Sequence, residues 1–134
     1  MGWNSNSYQS GLHNVGSFQV SSIPYATASI DVTSQTTAVE VEFDRVTKFI
    51  IIKNTADAMG TDAPMKFGFS ELGVKGTNYI LLLNEEEYEA DFKVSRVYLL
   101  AGSAVHATAS ISAGLTGIPS DRLAHNWSGS SGVG

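Results

Sequence analysis

The chain has 134 residues, a formal net charge of −5, no cysteine and 16% charged residues, against a usual charged share of about 25%. Without a Lys/Arg cluster there is no basic stripe for counterion release, which excludes direct binding to nucleic acid or an anionic membrane. Without cysteine there are no disulfides, thiolate metal sites or thiol nucleophiles, and an assembly formed inside a reducing cell is expected. The strongly apolar run Phe49 to Ile52 is far shorter than the roughly 20 residues of a membrane span. The N-terminus shows neither the basic nor the apolar region of a signal peptide.

The first sixteen residues (MGWNSNSYQSGLHNVG) and the last sixteen (PSDRLAHNWSGSSGVG) are rich in Gly, Ser and Asn, with isolated aromatics. Such composition buries too little apolar surface to offset its ordering entropy. The division is therefore an extended N-terminal arm over 1–16, a sandwich domain over 17–118 and an extended C-terminal arm over 119–134.

Between the arms the chain reads as strands. Phe18 and Val20 alternate with Ser17, Gln19 and Ser21, a half-buried strand that Pro24 is expected to interrupt. An extended β-branched pattern follows over 25–32, with Ile30 and Val32 on one face, and a Ser/Thr/Gln turn over 33–37. Val39, Val41 and Phe43 oppose Glu40 and Glu42, a solvent-facing strand. Residues 46–53 (VTKFIIIK) have consecutive apolar positions, as a central strand covered on both faces would.

A loop over 54–64 precedes the alternation of Met65, Phe67 and Phe69, and a Gly-punctuated loop covers 71–77. Strands are expected over 79–83, over 87–94 (Tyr88, Ala90, Phe92 and Val94 on one phase) and over 97–101. After a turn at Gly102-Ser103 the last alternation is Val105, Ala107, Ala109 and Ile111. Leu115 and Ile118 finish the core, and Pro119 stops strand pairing. No apolar i, i+3, i+4, i+7 stripe of helical length appears. Eight or nine short strands at turn spacings of about 8–12 residues predict an all-β, antiparallel, jelly-roll-like sandwich.

Candidate chemistry is sparse. His13, His106 and His125 share no metal-ligand spacing. The acidic stretch Glu85, Glu86, Glu87, Glu89 and Asp91 lacks the ligand pattern and Gly of a calcium loop and suits an edge strand that discourages wrong pairing. Asp57, Thr61 and Asp62 fit an ordinary exposed loop with Gly60 at its bend. Neither a nucleophile elbow nor a phosphate loop is present. No catalytic residue, metal or cofactor is expected, and the protein is read as a non-enzyme.

Both tryptophans lie in the arms. Trp buries a large area with few rotors, which makes it an interface anchor. Trp3, Leu12, Val15, Leu123 and Trp127 are therefore the candidate partner-binding residues; the alternative is that the arms fold back on their own sandwich with the same side chains. The low charge likewise has two readings, a hydroxyl-rich β surface or a surface prepared for partners.

Three stretches, 11–21 (GLHNVGSFQVS), 49–55 with 65–82 (FIIIKNT, MKFGFSELGVKGTNYILL), and 113–119 with 126–134 (AGLTGIP, NWSGSSGVG), resemble small β-sandwich virion proteins of tailed phages and large DNA viruses. That resemblance implies a capsid vertex (penton), minor capsid, decoration or tail component. It further implies arms that cross between subunits, partners drawn from the same assembly (further copies or a major capsid protein), and location in a virion assembled in the host cytoplasm. A glycan-binding module, with loops 54–64 and 71–77 forming its site, is the alternative.

Overall fold

The computed structural model describes residues 22–33, 35–55, 63–83, 85–102 and 107–134. The strand expected over 17–21, the loop tip at 56–62 and the start of the last alternation at Val105 lie outside them. Among the described residues there are eight strands: β1 (Ile23–Val32), β2 (Val39–Glu42), β3 (Arg45–Asn54), β4 (Met65–Gly68), β5 (Ile80–Leu82), β6 (Glu87–Ala90), β7 (Arg96–Ala101) and β8 (Ala107–Pro119). They form two antiparallel sheets, ordered β1-β8-β3-β6 and β2-β7-β4-β5.

That order has a simple origin. β4 pairs with β5, β3 with β6, β2 with β7 and β1 with β8, so the chain is one long hairpin whose successive pairs alternate between the sheets. Closing β3 on β8 and β4 on β7 rolls the hairpin up. This is the jelly-roll order, with its two Greek keys.

The core follows the period-two patterns. Val41, Phe43, Ile50, Ile52, Met65, Phe67, Leu82, Val97, Leu99, Ala109, Ile111 and Leu115 meet between the sheets. Tyr25 of β1 packs edge-on against Phe43 at 5.0 Å, and the Phe67 ring of β4 lies tilted against Tyr88 of β6 at 5.4 Å. These contacts place β1 over the β2 side of the sandwich and β6 over the β4–β5 side.

Four expectations are corrected. Pro24 does not interrupt its strand: it lies inside β1 opposite Gly114, on a sheet edge, where a missing N–H is tolerated. β3 is interior, but its second face is only half-covered at Phe49 and Ile51. The alternation over 87–94 stops being strand at Ala90; beyond it Thr47 Oγ1 donates to Phe92 O at 2.6 Å and accepts from Val94 N at 3.1 Å, while Thr47 N donates to Val94 O at 3.0 Å, so a side chain and a backbone bond together take over from the regular ladder.

The loop over 71–77 contains one helical turn, α1 (Glu71–Lys75). Ser70 caps it by accepting from Gly73 N at 2.9 Å, and Lys75 pairs with Glu71 at 2.7 Å. Local capping and one ion pair suffice for five residues, too few to print a helical stripe in the sequence.

Candidate functional site

The C-terminal residues are the first surface to place. β8 ends at Pro119, a 3-10 turn covers Ser120–Leu123, and tight turns continue to Gly134. This is not the extended arm expected over 119–134. Leu123 is fully buried with Val46 and Ile118 of its own chain.

Asn126 is 2% exposed and holds the segment down. Its Nδ2 donates to Phe69 O at 2.6 Å and Arg96 O at 2.9 Å, and its Oδ1 accepts from Ser95 N at 2.8 Å. Ser95 Oγ donates to Leu123 O at 2.8 Å. Asn126 sits at φ 47°, left-handed backbone that Asn tolerates better than most residues.

Trp127 follows at φ 64°, half-buried against the core, with its indole N–H donating to Lys93 O. Further on, Ser70 Oγ donates to Val133 O at 2.7 Å. Gly73 leaves the room for this: a Cβ there would overlap Val133 O. Leu123 and Trp127 thus pack onto their own sandwich, as the fold-back alternative has it, and that describes the C-terminal arm in the single chain. Trp3, Leu12 and Val15 lie outside the described residues, as do His13, His106, Asp57, Thr61 and Asp62.

The second surface is a sheet edge. Among the described residues each sheet ends in two edge strands, and an edge presents unpaired main-chain groups to any passing chain. Three of the four are guarded. β1 carries Pro24 and a register shift between Thr27 and Ile30, with Ser29 at φ 58°. β2 carries Glu40 and Glu42, 3.5 and 3.6 Å from the Arg96 guanidinium. β6 carries Glu87 and Glu89, both exposed.

β5 is different. Ile80 and Leu82 face the core, and the opposite phase presents Tyr79, Leu81 and Leu83 at 38, 48 and 47% exposure. The neighbouring charge is Lys66, whose Nζ lies 4.6 Å above the Tyr79 ring. Glu86, from the acidic stretch, accepts the Leu83 N–H at 2.7 Å and closes the strand's end. Sequence reasoning missed this edge because YILLL is apolar on both phases and so reads as a fully covered strand.

A cavity of about 400 Å³ lies between α1 and the C-terminal turns, lined among others by Leu72, Arg96, Tyr98 and His125. The Arg96 guanidinium reaches Ala124 O at 3.3 Å, while its Nε is buried without a partner among the described residues. Burial, and then the nearby Glu40 carboxylate, raise the Tyr98 phenol above its ordinary value. His125 Nδ1 accepts from Trp127 N, which ties that ring to the turn. The cavity joins hydrogen-bonding groups to an apolar rim at Leu72, which is 79% exposed.

No family model and no curated protein matches the sequence. A solved structure of Bacillus endospore appendages, described as a novel family of disulfide-linked pili, is similar over 71% of this chain and 89% of its own, at 16% identity and a TM-score of 0.37.

Proposed function

We propose that this protein is a non-enzymatic structural subunit that assembles with further copies or a larger shell protein, and that its place is in a virion, as a vertex, decoration or minor capsid component. The observation that carries the reading is the β5 edge: among the described residues it is the last strand of its sheet and exposes Tyr79, Leu81 and Leu83, on a domain whose other edges are guarded. Contiguous exposed apolar side chains on an edge strand mark a contact surface between proteins. The buried polar side chains of Thr47, Ser95, Thr116 and Asn126 are engaged in holding backbone, which suits a rigid brick. Light scattering on the purified chain over a wide concentration range tests assembly: discrete multimers are expected, and a monomer at millimolar concentration would overturn it. Mass spectrometry of purified virus particles tests the location.

A second reading, a glycan-binding module, draws on the cavity beside Glu71 and Leu72, where Arg96, Tyr98 and His125 offer donors and acceptors around an apolar rim. Binding on a glycan array that Arg96→Ala abolishes would favour it.

A further inference from the structure

We infer that subunits join head to tail, residues 17–21 of one copy adding as a strand to the outer edge of β5 in the next. The inference rests on the assembly reading above and names the two surfaces that meet.

β5 needs an occupant that is extended, uncharged and apolar on alternate positions. Ser17-Phe18-Gln19-Val20-Ser21 has that character: it carries no charge, and Phe18 and Val20 share one phase. Laid antiparallel or parallel along β5, that phase covers Leu81 and its neighbours while Ser and Gln face the other way. Two of the remaining edges repel each other instead. β2 and β6 both present glutamates, and like charges directly opposite across a strand pair are destabilising.

The donor has to be another copy. Residue 21 adjoins Ser22, where the chain enters β1, and β1 lies over the β2 side of the sandwich, opposite β5. Reaching the chain's own β5 edge means crossing three strand spacings of about 4.8 Å and a sheet gap of about 10 Å, a diagonal of roughly 17 Å. Five residues span at most about 17 Å fully extended. They would be exhausted on arrival, with nothing left to lie along the strand. Between copies the constraint vanishes: donor side and acceptor side are opposite faces of the subunit, so each copy gives one strand and takes one. Such a contact is heterologous and closes into a ring or runs on as a filament.

The absence of cysteine gives a clean test. Val20→Cys and Leu81→Cys are purified separately, mixed under mild oxidation and compared with each variant alone. A disulfide between the two variants, and a ladder of covalent multimers from the double variant V20C/L81C, are expected. Assembly of the otherwise native chain carrying Leu81→Glu, whose charge is opposite to that of Lys66 across the strand pair, and Leu83→Lys should require roughly tenfold higher concentration or more. Covalent dimers of Leu81→Cys alone would show β5 pairing with itself and overturn the inference, as would an intramolecular disulfide that leaves the double variant monomeric. Multimers that form without any mixed disulfide would overturn it while leaving the assembly reading intact. A chain that never assembles removes both.

Discussion

Two regions of this molecule behave opposite to their composition. Residues 120–134 are Ser- and Gly-rich, yet they are clasped to the sandwich; β5 and its flanks are Tyr, Ile and Leu, yet Tyr79, Leu81 and Leu83 face outward. The clasp needs little apolar area because one buried amide meets three backbone groups at once, and because Leu123 and Trp127 each find a prepared site. The edge stays exposed because it is the last strand of its sheet: period-two geometry sends only alternate residues inward. Satisfied hydrogen bonds order a polar segment, and sheet position decides whether an apolar one is covered.

Breaking the clasp gives the largest effects. Asn126→Ala leaves Ser95 N, Phe69 O and Arg96 O without their partner and puts Ala at φ 47°. Stability should fall by about 3–5 kcal/mol, read from urea unfolding. A loss below about 1 kcal/mol would mean that the apolar anchors alone hold the segment. Leu123→Ala removes a fully buried side chain from its contact with Val46 and Ile118, and the transfer and cavity costs together are about 2–4 kcal/mol. Hydrogen exchange after either change should rise first in residues 120–134.

The sandwich itself was legible from residues. Val39-Glu40-Val41-Glu42 prints a solvent-facing strand, and the Met65, Phe67 alternation prints an inward face, because burial on one side forces period two. The strand order was not legible, since pairing β1 with β8 depends on contacts from Val32↔Ala107 to Ile23↔Leu115, 75 to 92 residues apart in sequence. Nor was the fate of the C-terminal segment: Leu123 and Trp127 show in the sequence that something apolar anchors there, but the identity of the groove lies in Val46, Ile118 and the carbonyls of Phe69, Lys93 and Arg96. Main-chain groups carry no sequence signature. Asn126 gave the one available hint, as a residue that tolerates left-handed backbone beside an aromatic anchor.

Beside the clasp, Tyr98 tests the region by pH. Burial and Glu40 raise its phenol in the folded state. Its contribution is therefore fully present below the ordinary phenol value near 10 and is lost as pH rises through the folded value. Tyr98→Phe should flatten that part of the alkaline decline by less than about 1 kcal/mol, because the group is partly exposed and screened. An unchanged profile would show that other groups govern the alkaline limb.

The smallest effect on stability belongs to the edge, and it sharpens the contrast most. Leu81 is 48% exposed and faces away from the core opposite Lys66, so Leu81→Glu removes no core contact and sets an opposite charge across from that lysine. The unfolding free energy of the isolated subunit should move by no more than about 0.5 kcal/mol. A loss as large as that of Leu123→Ala would mean that Leu81 is covered within its own subunit, and the edge would no longer be open. Unchanged stability together with lost assembly would separate the two regions by role: the clasp, poor in apolar residues, serves the fold, and the leucine edge serves contact with a neighbour.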